Sequence, residues 1–156
     1  MTGILKVDTI QKNDGSTPTA ADLGITTNTP NFSVRFDGSY SLSVQTFTKI
    51  QFSSTEWDTA SAFDLANNKF VVPSGQGGNY ILSTRVHFDN ITDGNYAELW
   101  WYINGSNTER NRTRDYQSLS QQWIRMHSNL AITLAEGDEV EIYGYVLGGN
   151  NPAIAF

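Results

Sequence analysis

Phe63-Asp64-Leu65-Ala66-Asn67-Asn68-Lys69-Phe70-Val71-Val72-Pro73, then Ser74-Gly75-Gln76-Gly77-Gly78, then Asn79-Tyr80-Ile81-Leu82-Ser83-Thr84-Arg85-Val86-His87-Phe88, is the stretch on which the fold turns. Its last part alternates. Tyr80, Leu82, Val86 and Phe88 fall on one side of an extended chain, and Arg85 and His87 on the other. Successive side chains of a strand point to opposite faces, so this period of two marks a half-buried strand. Asn67-Asn68 suits a tight hairpin turn, because Asn tolerates positive φ. The glycines of 74–78 read as a connection between strands. A phosphate-binding loop needs a following helix with Lys and Ser or Thr, and here Asn79-Tyr80-Ile81-Leu82 begins a strand.

Working outward, helical periodicity is absent and period-two runs recur between Gly, Asn, Asp and Ser clusters. Strands are expected near 32–36, 44–52, 69–73, 79–88, 96–103, 109–114, 121–133 (continuous or broken), 139–147 and 152–156. Asn104-Gly105 and Glu136-Gly137-Asp138 supply two further turns. Many short strands at this spacing make an all-β sandwich or jelly roll. No internal repeat and no Gly-X-Y tract interrupts the pattern.

The order of residues resembles a known family. Phe32-Ser33-Val34, Ile50-Gln51-Phe52, the Phe63–Pro73 stretch with Gly78-Asn79-Tyr80, then Leu99, Asn104-Gly105, Leu130-Ala131-Ile132-Thr133-Leu134 and Gly137-Asp138-Glu139-Val140 are similar to the globular heads of complement component q, within the tumour-necrosis-factor-like jelly rolls. The resemblance covers roughly residues 31–156, and Phe-Asp…Phe-x-x-Pro…Gly-x-Tyr is its most specific part. It implies a ten-strand jelly-roll β-sandwich and a compact homotrimer. The sequence departs from the family in a longer 74–78 loop, in Ala153-Ile154-Ala155-Phe156 where a Phe-x-Gly close is customary, and in the missing collagen stalk. Complement biology is not implied.

Residues 1–29 differ from the rest. They are rich in Thr, Asn, Asp and Ala, and their apolar residues come in short stretches such as Ile4, Leu5, Val7 and Ile10. Such a segment cannot bury enough apolar surface alone to offset its ordering entropy, so it is expected to form a short extended arm lying against a partner. Val7-Asp8-Thr9-Ile10 can form a brief strand, and Asn13-Asp14-Gly15-Ser16 a turn. Gly3–Gln11, through Asp14-Gly15-Ser16 to Leu23-Gly24-Ile25, resembles the opening of fibre-like proteins of marine tailed phages of cyanophage type. That resemblance implies attachment to a virion, with Leu5, Val7 and Ile10 as anchoring residues. The chain is thus expected to divide into a virion-attachment arm, 1–29, and a jelly-roll head, 30–156.

Composition narrows the partners. The 156 residues carry a formal charge of −6, so a basic field for nucleic acid or an anionic membrane is missing. With no cysteine there is no disulfide, thiolate metal site or cysteine nucleophile. Met1 to Lys12 lacks a basic region followed by an apolar stretch, so no signal peptide is expected. Release outside a cell would then follow virion assembly and lysis. The 12% aromatic content is high, and large rings support a core or a subunit interface.

Alternation assigns faces. Leu99, Trp101 and Ile103 oppose Trp100 and Tyr102, and Val140, Ile142 and Val146 oppose Tyr143, Tyr145 and Leu147. The first set of each strand reads as sandwich core. The second set is too rich in large rings for a wet face. Trp100, Tyr102, Tyr143, Tyr145 and Leu147 are therefore expected at the trimer contact, unless the N-terminal segment of the same chain covers them.

Candidate chemistry is sparse. His87 and His127 are the two histidines, and no Gly-x-Ser-x-Gly elbow accompanies them, so no catalytic residue is assigned and no enzyme activity is expected. Asp89-Asn90-Ile91-Thr92-Asp93-Gly94 has the flavour of a calcium loop, with Asp89 and Asp93 as nearest ligands. Its third and twelfth positions are Ile91 and Trp100, so a plain turn is preferred and no metal or cofactor is assigned. Arg110, Arg112 and Arg114 alternate within one strand and share a face there, either as a partner surface or as ion-pair partners of Glu109, Asp115 or acids across the trimer. Trp57 and Tyr116, with Tyr40 and Trp123, fall at loops or strand ends, where rings can stack on sugars.

These readings combine into one expectation. The chain is a non-enzymatic structural virion protein of a tailed phage, a trimeric short fibre or appendage. Its head presents a host-surface binding face, with Arg110, Arg112, Arg114, Trp57 and Tyr116 as candidates and a surface glycan as candidate partner. The alternative is a capsid or tail decoration protein that stabilises the particle.

Overall fold

Two twelve-residue strands carry the clearest alternation and set the frame. In the computed structural model, which describes residues 11–18, 22, 30–118 and 123–155 (the side chains of 108–110 excepted), they pair over their whole length. In chain order the strands are β1 (Phe32–Arg35), β2 (Ser39–Ser41), β3 (Thr48–Lys49), β4 (Ser54–Asp58), β5 (Phe63–Asp64), β6 (Lys69–Val71), β7 (Gly78–Asp89), β8 (Tyr96–Ile103), β9 (Ser106–Tyr116), β10 (Trp123–Leu134), β11 (Glu139–Val146) and β12 (Ala153–Ala155). One sheet has the order β10-β7-β12-β2. The facing sheet runs β5-β6-β11-β8-β9, with β3 also on β11, and β1 pairs with β4 separately. Every ladder among these strands is antiparallel.

The core lies between the two sheets because both inner registers are apolar. From β7 come Tyr80, Leu82, Val86 and Phe88, as alternation requires, and from β10 come Ile124, Met126, Leu130 and Leu134. Leu99 and Trp101 of β8 and Val140, Ile142 and Val146 of β11 meet them from the opposite sheet. Phe88 and Leu99 are fully buried, and each such side chain contributes roughly 1.5–3 kcal/mol. Trp101 also places its indole N–H on Ser128 Oγ at 2.8 Å, which satisfies two buried polar groups at once.

Turns fall where Asn and Gly place them. Asn104 and Gly105 both take positive φ (50° and 74°), the pattern of a two-residue hairpin, and join β8 to β9. Asn68 (φ 52°) turns β5 into β6, and Gly137 (φ 82°) turns β10 into β11.

The strand expected over 44–52 is corrected. Only Thr48–Lys49 is strand there, because Gln45 adopts φ 56° and turns the chain. The segment still follows β11, with Gln45 N donating to Val146 O at 2.7 Å and Ile50 N to Ile142 O at 2.8 Å. Three short strands were missed: Ser39–Ser41, Ser54–Asp58 and Phe63–Asp64. None shows an alternating apolar register, and much of each is exposed or half-buried. The strand expected over 121–133 is continuous from Trp123 to Leu134, with 121–122 outside the described residues.

Candidate functional site

The outward face of the β11-β8-β9 sheet gathers most of the residues expected to do work. Cross-strand register lines them up in rows: Tyr145, Glu98 and Arg114 in one, Tyr143, Trp100 and Arg112 in the next. Directly paired residues of antiparallel strands share a face, so each row places an aromatic ring, an acceptor or ring, and a guanidinium side by side. Lys49 on β3 extends the second row beyond Tyr143.

The rings pack on one another. Tyr102 and Tyr143 have centroids 4.0 Å apart, and Tyr96 stacks on Tyr145 at 6.1 Å. Phe47, from the turn before β3, caps the cluster edge-on to Trp100 at 5.4 Å and lies 5.0 Å from Tyr145. Arg112 lies over the Trp100 ring at 5.2 Å and Arg114 over Tyr96 at 4.3 Å. Cations over ring faces gain from the ring quadrupole. Burial pushes the Tyr143 and Tyr145 hydroxyls above their ordinary range.

One carboxylate organises the charged side. Glu98, 3% exposed, accepts from Arg114 Nε at 2.5 Å and from Trp100 Nε1 at 2.6 Å, and Arg112 Nη1 is 3.9 Å away. A buried carboxylate survives only with such partners. Arg114 also donates to the Tyr116 hydroxyl at 3.3 Å. That bond and then Glu98 hold its guanidinium protonated above its ordinary range.

Trp100, expected at a subunit contact, is 7% exposed within its own chain, covered by Phe47 and Arg112. Tyr102, Tyr143, Tyr145 and Leu147 remain half-buried on the same face. Arg112 and Arg114, expected as a partner surface or as ion-pair partners, and Tyr116, expected on a ligand surface, lie on this aromatic face. The side chain of Arg110 lies outside those described, as do Leu5, Val7 and Ile10.

Trp57 is elsewhere. It is half-exposed on β4 and donates its indole N–H to Asn31 Oδ1 at 2.6 Å. Phe47 was not singled out in the sequence because the turn that presents it was read as strand.

The other outward face belongs to β7 and β10. Ile81, 85% exposed, pairs across the ladder with Ala131, and Ser83 pairs with Asn129. Arg85 faces His127 and His87 faces Arg125. Trp123 lies at the end of this face, with Arg125 over its ring at 4.7 Å and His87 edge-on at 5.8 Å. Among the described residues no group of three or more His, Asp or Glu is placed to hold a metal ion. Asp93 caps its own turn, accepting from Gly94 N at 3.0 Å.

Comparison with known proteins bears on the fold. No family model matches the sequence. An uncharacterized protein of Bacillus subtilis strain 168, YqcC, is 28% identical over 110 residues, which is 69% of this chain and 30% of that protein. The match therefore spans less than a third of its length. Among solved structures, the globular domain of zebrafish complement 1qA protein superposes with a TM-score of 0.60 at 16% identity, covering 80% of this chain and 92% of that one. The Eiger TNF of S. frugiperda superposes with a TM-score of 0.54 at 10% identity, covering 81% and 90%. The chain has the jelly-roll fold that these two domains share.

Proposed function

We propose that this chain is the trimeric, non-enzymatic head of a tailed-phage virion protein, a short fibre or appendage that presents a binding face to the host surface. The aromatic face of β8, β9 and β11 is the displayed one. The observation that carries this reading is the capped ring cluster with guanidinia laid over it: Phe47 and Tyr116 are 40% and 58% exposed at its crest. Exposed rings stack on the apolar faces of sugars, and Arg112 and Arg114 favour carboxylate or sulfate groups beside them. The ligand class is an anionic surface glycan.

The trimer contact then falls to the β7–β10 face. Ile81, fourth of the twelve residues of β7, stands nearly bare on the longest ladder, beside the uncharged Ser83, Asn129, Ala131 and Thr133. A closed three-fold ring joins unlike surfaces, so this patch meets a different face of the next copy. The virion placement rests on the phage-like opening of residues 1–29.

Fluorescently labelled protein tested on susceptible cells and on their extracted polysaccharide checks the binding claim. Phe47→Ser and Tyr116→Ser together should abolish staining and leave the assembled mass unchanged. The Phe47 change should also red-shift tryptophan emission as Trp100 becomes wet. Staining that survives both substitutions contradicts the assigned face.

A further inference from the structure

A groove lies between β1 and β7. β12 pairs with β7 only at Phe88 and Asp89, so from Gly78 to His87 β7 is paired on the β10 side alone among the described residues. In an antiparallel ladder alternate peptide groups point away from the paired neighbour, so half of this stretch offers N–H and C=O groups to the groove. Among the described residues β1 likewise has a partner, β4, on one side only. Between them lies a cavity of about 500 Å³, walled by Phe32–Arg35 and Ile81–Arg85 and floored by Phe52, Phe63, Phe70 and Trp101. Main-chain groups in such a place need partners, and only another extended chain supplies them in register.

We infer that this groove is a strand-acceptor slot and that residues 4–10 of the chain's own arm fill it. Across Ile4-Leu5-Lys6-Val7-Asp8-Thr9-Ile10, Leu5, Val7 and Thr9 fall in one register, and Lys6 and Asp8, flanked by Ile4 and Ile10, in the other. Leu5 and Val7 facing the aromatic floor leave both charges in water. The reach is sufficient. Lys12 Nζ and Asp22 Oδ2 are 2.7 Å apart, which closes the 12–22 excursion. The eight residues from there to Pro30 span up to about 28 Å. The arm joins the head at Asn31, on the cavity wall itself, so its effective concentration at the slot is high. The nearer segment Leu23-Gly24-Ile25 is the poorer fit, since Gly24 weakens a strand and the chain must reverse at once. This assignment takes Leu5 and Val7 from the particle contact into the head. It is independent of the displayed face; it shares Ile81 with the proposed trimer patch, and exchange within one chain tells the two apart.

Hydrogen exchange on the full chain tests it. Alternate amides within 79–87 on the side away from β10 should exchange at least about ten-fold more slowly in the natural protein than in Leu5→Asp/Val7→Asp. Amides of Trp101 and Ile142 should stay protected in that variant, which shows that the head remains folded. The protection should also survive dilution, as contact within one chain requires. Equal exchange with and without the substitutions overturns the proposal. So does release by Leu23→Asp/Ile25→Asp instead, or protection that fades on dilution, which points to a neighbour's arm.

Discussion

Arg114 and Glu98 face each other across the β8–β9 ladder, with Nε donating to Oε1 at 2.5 Å, and the carboxylate is shut away from water while the guanidinium remains a third exposed. Glu98 also takes the Trp100 indole N–H, so one acid ties together the ring cluster and its cationic cover. Glu98→Ala removes the carboxylate that Arg114 and Arg112 face and frees the Trp100 N–H. The expected loss is about 2 kcal/mol, below that of a fully buried pair because water reaches the guanidinia. Urea unfolding followed by circular dichroism checks this. A Glu98→Leu/Arg114→Met pair should recover most of the loss.

Gly144 leaves room for Phe88. A Cβ at that position would lie 3.0 Å from Phe88 Cε1 and 3.1 Å from Ile50 Cδ1, in the middle of the core row between Ile142 and Val146. Gly144→Ala should destabilise by about 1–3 kcal/mol through overpacking. In a double-mutant cycle, Phe88→Leu should lower the cost of the added methyl group, since a leucine vacates the space the ring edge fills. Additive losses would show that the clash is relieved by another route.

Acid should loosen the turns first. Asp138 is held below its ordinary 3.8 by the Asn104 side chain and then by Ala135 N, and Asp64 by the Asn67 side chain and backbone. Asp138 sits in the turn before β11 and Asp64 ends β5 at the turn into β6, and both turns fix the register of flanking strands. A carboxylate whose folded value is depressed contributes stability that is complete above the unfolded value. That contribution is lost as pH falls through the folded one. The urea midpoint should therefore hold from neutral pH down to about 4 and fall below it. Asp64→Asn/Asp138→Asn should flatten that acid limb and lower the neutral plateau.

The jelly roll was legible wherever a strand buries one face. Asn79–Phe88, Tyr96–Ile103 and Glu139–Val146 announce themselves because large apolar residues recur at every second position, and the Asn-Gly and Asn-Asn turns carry their own backbone chemistry. Ser54–Asp58 was illegible for the opposite reason: it is largely exposed and, among the described residues, pairs only with β1, so its residues follow no apolar period. The turn at Gln45 carries no glycine, and tertiary bonds to Val146 and Ile142 impose it on a sequence that reads as strand.

The candidate site was half legible. Alternation placed Trp100, Tyr102, Tyr143 and Tyr145 together and put Arg112 with Arg114, but it could not show that the two groups share one face. That fact depends on strand neighbourhood. Nor could it show Phe47 closing over Trp100, a contact between residues 53 positions apart in sequence.

Self-association through the β7–β10 face is the claim on which the display reading rests, and sedimentation equilibrium of the full chain beside Ile81→Asp tests it most directly. The natural protein should sediment at three times the 17.3 kDa chain mass, and the variant, still folded by circular dichroism, at the mass of a single chain. A natural protein that sediments as a single chain across micromolar concentrations contradicts the account, and so does an Ile81→Asp trimer.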